Sequence, residues 1–126
     1  MTTMSFHKSA KWKTGLRRYF EYRDLGIVEA TKGKVLAHII RARESSDGPG
    51  GYHTPDLEFQ MNYVLKGWTR VEFEDAGEVL FEAGDSWYQE PKIKHEVLEF
   101  SDDFEVIEIC MPAEFPTENA KREPIN

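Results

Sequence analysis

The sequence predicts an all-β fold, an antiparallel sandwich or barrel, and three observations lead there. Short runs rich in β-branched and aromatic residues follow one another, about eight in all, with turn signals at close and even spacing. No stretch carries a convincing helical period. One run, Leu57 to Leu65, alternates with a period of two: Phe59, Met61, Tyr63 and Leu65 share one face, and Glu58, Gln60, Asn62 and Val64 share the other. The first face is large and apolar and suits packing on a sheet or partner. The second is polar without dense charge and suits a wet cavity.

In chain order, residues 1–17 read as an N-terminal arm, 18–116 as the barrel domain and 117–126 as a loose polar tail. Tyr19, Phe20 and Tyr22 line a short strand, Asp24-Leu25-Gly26 turns, and Ile27 to Thr31 reads as a second strand. Lys32-Gly33-Lys34 is then the break of a hairpin. Val35 to Ala42 is a strand by its β-branched content. Arg43 to Gly51 holds Ser, Asp, Gly and Pro without periodicity and is the strongest loop signal in the chain. After Gly67, residues 68–74 alternate Trp68, Arg70, Glu72 and Glu74 against Thr69, Val71 and Phe73. Further strands follow at 78–82, 86–89, 95–100 and 104–111, and Pro112 and Pro116 end regular structure.

At 126 residues the chain is one domain with room for a core. A net charge of −7 with no stripe of Lys and Arg argues against nucleic acid as a partner. No apolar run reaches the ~18 residues of a membrane helix. One cysteine, Cys110, rules out an internal disulfide and fits a reducing, cytoplasmic setting.

Two blocks carry the chemistry. Gly51-Tyr52-His53-Thr54-Pro55-Asp56 runs into the alternating strand and closes on Gly67. Gly84-Asp85 leads through Glu90-Pro91-Lys92-Ile93-Lys94 to His95. Both read as walls of one barrel, with His53, Gln60 and His95 pointing inward at its mouth.

These blocks resemble the two motifs of the cupin superfamily, small jelly-roll β-barrels, over about residues 35–112. Within it, DLEFQMNYVLKGW and EAGD look like a group of small single-domain bacterial cupins. The resemblance implies a double-sheet jelly roll with an N-terminal strand and a divalent metal held by His53, Gln60 and His95. Departures are plain: Pro55 stands at a ligand histidine, Gln60 at the carboxylate, and Lys92 at the glycine before the last histidine. Two imidazoles and a carboxamide suit zinc, iron, nickel or manganese, with weakened affinity.

Glu58, Asn62, Tyr63, His38 and Glu108 are candidates for lining the pocket. His38 reads as a core or pocket-wall histidine and Tyr63 as a packing residue. Glu108 is either a pocket acid with a raised pKa or an outward, solvated carboxylate, the second being the simpler reading. Glu58 lies outside the motif register. Nucleophile elbow, phosphate loop, HExxH and CxxC patterns are absent.

The expected partner is a small organic molecule. A metal-dependent enzyme of dioxygenase, isomerase or lyase type and a non-catalytic binding barrel without metal both remain open. The apolar face of Phe59, Met61, Tyr63 and Leu65 predicts a homodimer.

Overall fold

The computed structural model describes residues 1–14, 19–43 and 57–113. Nine strands are present among them: β1 (Lys13–Thr14), β2 (Phe20–Asp24), β3 (Leu36–Ala42), β4 (Phe59–Lys66), β5 (Trp68–Phe73), β6 (Gly77–Glu82), β7 (Ser86–Tyr88), β8 (His95–Phe100) and β9 (Glu105–Met111). A six-stranded sheet runs β1-β2-β3-β9-β4-β7, and a three-stranded sheet runs β6-β5-β8. All pairings are antiparallel. The two antiparallel sheets agree with the sandwich or barrel that the strand pattern predicts, and their order with the jelly roll that the resemblance implies.

The alternation of β4 survives intact. Gln60, Asn62 and Val64 are buried, while Tyr63 and Leu65 are exposed. Likewise Thr69, Val71 and Phe73 of β5 point inward. The inner faces meet in a core of Phe20, Val64, Val71, Phe73, Phe81, Phe100, Phe104 and Val106. Each buried side chain of this kind contributes roughly 1.5–3 kcal/mol relative to exposure.

Residues 27–30 correct the sequence reading. Ile27–Ala30 is one helical turn, α1, not a strand. Gly26 enters it at φ +80°, held by its N–H donating to Asp24 Oδ1 at 2.9 Å. Thr31 Oγ1 closes it by donating to the Ile27 carbonyl at 2.8 Å and accepting from the Val35 N–H at 3.0 Å. These local side-chain bonds override the strand propensity of Ile27 and Val28.

The N-terminal segment is tied to the sheet edge. His7–Ser9 forms a 3-10 turn, and β1 pairs with β2 through Lys13↔Tyr22 and Thr14↔Glu21. The Arg41 guanidinium sits 3.8 Å over the Trp12 ring.

Gly67, the glycine that closes the first block, joins β4 to β5 at φ +68°. A Cβ there would lie 2.1 Å from Ser101 Oγ and 3.1 Å from Phe104 Cα. Glycine is required on two counts, backbone conformation and space.

Candidate functional site

The register of the larger sheet sorts its inner face into rungs. Tyr22, Ile40, Val106 and Val64 are neighbours across β2, β3, β9 and β4, an almost wholly apolar rung. Two residues along each strand the rung is Asp24, His38, Glu108 and Asn62, continued by Trp87 on β7. The next is Leu36, Cys110 and Gln60. The barrel therefore turns from an apolar floor to a polar layer within one step of the strand pleat.

Glu108 is the hub of that layer. His38 Nε2 lies 2.7 Å from its Oε1, and Gln60 Nε2 donates to its Oε2 at 2.7 Å. Burial pushes the Glu108 carboxyl up. The His38 hydrogen bond and charge, the Gln60 amide and the charge of His95 together outweigh it, and the carboxyl sits below its ordinary value. An ionised carboxylate only accepts, so the His38 nitrogen facing it carries the proton. The His38 and Glu108 side chains are 16% and 19% exposed, so the pair is sheltered yet within reach of solvent.

Three further groups surround it. His95 is buried at the start of β8, its ring stacked 6.3 Å from Phe73. Trp87 stacks on Phe81 at 4.2 Å and ties the small sheet to the polar layer. Gln89 is buried beside Gln60, whose carbonyl accepts the Gln89 N–H at 2.7 Å. Gln60 Oε1, Gln89 Oε1 and Trp87 Nε1 are buried without a hydrogen-bond partner among the described residues. Orphaned polar atoms cost about 1–3 kcal/mol each, and a cluster of them in one layer marks a place prepared for polar company.

Of the candidates from sequence, His38, Gln60, Asn62, His95 and Glu108 are on the inner side of the barrel. Glu108 points inward with a lowered pKa, correcting the reading of it as an outward carboxylate. Glu58 is exposed ahead of β4, and Tyr63 is 41% exposed on the face opposite Asn62. Neither joins the polar layer, because the pleat turns Tyr63 outward and Glu58 precedes the strand. His53 and Pro55 lie outside the described residues. Trp87 and Gln89 went unnoticed in sequence; their place opposite Asn62 and Gln60 depends on strand pairing.

Among the described residues, no group of three or more His, Cys, Asp or Glu is disposed to hold a metal ion. The orphaned Gln60 Oε1 and the buried His95 are nonetheless an oxygen and a nitrogen donor that suit a borderline divalent ion as part of a larger set. Gln60 is held by Glu108 behind it, in the way outer carboxylates orient metal ligands.

Alongside the layer, a cavity of about 620 Å³ opens between the N-terminal arm and β2, β3 and α1, and His38 forms part of its wall. His38 thus stands where this cavity meets the Glu108 network.

No family model and no curated protein matches the sequence. Solved structures do match in fold. KdgF from Halomonas sp. is similar at a TM-score of 0.71 and 16% identity, over 88% of this chain and 95% of that one. An RmlC-like cupin from Shewanella frigidimarina gives 0.68 and 18%, over 90% and 94%. A predicted oxalate decarboxylase from Thermotoga maritima gives 0.69 and 20%, over 89% and 99%. The chain has the cupin jelly-roll fold. Identity this low carries architecture and leaves function to the site.

Proposed function

We propose that the barrel binds a small organic molecule beside the His38–Glu108 pair and exchanges a proton with it, chemistry of isomerase or lyase type. The observation behind this reading is the doubly hydrogen-bonded Glu108 carboxylate. With its proton committed to Glu108 through Nε2, His38 uses Nδ1 as the nitrogen that takes or returns a proton. Gln60 fixes the second carboxylate oxygen, so the acid stays ionised and the ring stays oriented. Gln60 Oε1, Gln89 Oε1 and Trp87 Nε1 supply acceptors and a donor for the ligand's polar groups. The test is a thermal-shift screen of the full chain against keto acids, hydroxy acids and sugars. Hits are then incubated in D2O and followed by NMR for loss of a carbon-bound proton. Exchange that persists in His38→Gln and Glu108→Gln would end this reading.

A second reading is favoured by Gln60 Oε1 and by the fold. His53, Gln60 and His95 would hold a divalent ion, which polarises a carbonyl or enolate oxygen. Metal analysis of untagged protein decides it: less than about a tenth of an equivalent after loading with zinc, iron, nickel or manganese removes it. Pro55→His raises affinity if the ligand register is right.

The outer face of β4 and its neighbours leaves Tyr63, Leu65, Tyr88 and Met111 exposed. A second copy of the chain covering this face would make the homodimer expected from sequence. Light scattering that gives a monomer at micromolar concentration removes that assignment.

A further inference from the structure

We propose that the cavity under the N-terminal arm is an anion site, and that the barrel's ligand carries a carboxylate or phosphate group anchored at Arg23. This rests on the His38–Glu108 reading, because the same cavity has His38 in its wall.

Lys11, Lys13 and Arg23 line the cavity, against a single acid, Asp24. Asp24 is already engaged, its Oδ1 accepting the Gly26 N–H at 2.9 Å. A local excess of positive charge is notable in a chain whose net charge is −7. Among the described residues no carboxylate forms an ion pair with any of the three cations, whereas Arg41 pairs with Glu21 and Arg70 with both Glu78 and Glu99.

Arg23 is the sharpest of these signals. Its Nη2 donates to Ser5 Oγ at 2.9 Å, which fastens the arm to β2. Its Nε is buried with no hydrogen-bond partner among the described residues. A guanidinium with a sheltered, unused N–H is a strong receptor for an oxyanion, because the planar fork matches carboxylate and phosphate. Phe6, Tyr22, Val28 and Leu36 complete the wall with apolar surface. The anionic end of the ligand would lie at Arg23, with Lys11 and Lys13 adding long-range attraction, and the reacting end would lie at His38.

The test is calorimetric titration of the full chain at low salt with malonate, inorganic phosphate and neutral malonamide. Malonate or phosphate binding tighter than malonamide by about tenfold or more supports the site, and the tighter of the two names the source of the oxyanion. Binding should weaken with added salt, as the lysine contribution is screened. Arg23→Gln should lose about tenfold in affinity for the preferred anion and Arg23→Lys should keep part of it, since a point charge replaces the fork. Should Arg23→Gln unfold the arm, Arg23→Lys and a Lys11→Gln/Lys13→Gln pair carry the same comparison. Malonamide binding as well as malonate, no binding of either anion, or unchanged affinity in Arg23→Gln would each overturn the anion site. Those results leave the proton-exchange reading standing, which falls separately if His38→Gln still exchanges deuterium.

Discussion

Gln60 reaches Glu108 diagonally: its own neighbour on β9 is Cys110, yet its Nε2 donates to Glu108 Oε2 at 2.7 Å, one rung away. The bond ties two adjacent rungs of the polar layer together. It also leaves Gln60 Oε1 as the end of the amide without a partner among the described residues.

Glu108→Ala should therefore cost more than the loss of one hydrogen bond. Two donors, one on the half-buried His38 and one on the buried Gln60, would lose their acceptor, and about 2–4 kcal/mol of stability would go with them. Glu108→Gln keeps an acceptor for one of them and should cost about 1–2 kcal/mol. Urea denaturation of the three proteins checks the order. A loss under about 0.5 kcal/mol for the alanine variant would contradict the network.

Acid should expose the same group. The folded-state pKa of Glu108 lies below the ordinary 4.5, so the unfolded chain takes up that proton more readily. Its contribution to stability is complete above 4.5 and fades as pH falls below that value. The stability gap between the native sequence and Glu108→Gln should be constant near neutrality and narrow in acid. A gap that widens on acidification would reverse the sign assigned here.

Cys110 is fully buried, and its thiol is pushed well above the ordinary value, first by burial and then by the nearby charge of Glu108. Thiolate is the reactive form, so alkylation by iodoacetamide at pH 8 should be slower by about a hundredfold or more than in urea-unfolded chain. Mass spectrometry reads the modified fraction directly.

Two left-handed positions predict opposite effects. Gly67→Ala meets both an unfavourable φ and the Ser101–Phe104 turn, and should cost about 3 kcal/mol or more. Lys92, at φ +69°, occupies the place where the cupin pattern has glycine. Lys92→Gly should stabilise the chain by up to about 1 kcal/mol, relieving the strain of a side chain in that conformation. Thermal melts of both variants supply the comparison.

How far the sequence reveals this site depends on how far apart its parts lie in the chain. The faces of β4 and β5 follow from alternation within a few residues, and the turn at Gly67 from its own chemistry. Gln60 and His95 stand out because short motifs surround them. Glu108 does not, since a lone acid among isoleucines looks the same whether it faces water or a histidine. Its two hydrogen bonds span 70 and 48 residues. The role of Arg23 is hidden for the same reason: the cavity exists only once the arm has folded back along β2. The turn at Ile27–Ala30 is a different failure, in which side-chain bonds from Asp24 and Thr31 decide against the preference of the residues between them.

The strand that carries Glu108 sits between β3 and β4 in space but follows all the others in sequence. During synthesis, the ribosome must deliver nearly everything described here before the edges of β3 and β4 that flank β9 have their partner, although β3 already has β2 and β4 has β7 on the other side. Until then both present raw hydrogen-bonding edges to the cell. A nascent chain stalled just short of Glu105 should be a client for chaperones, and the polar layer comes into being only with the final stroke of assembly.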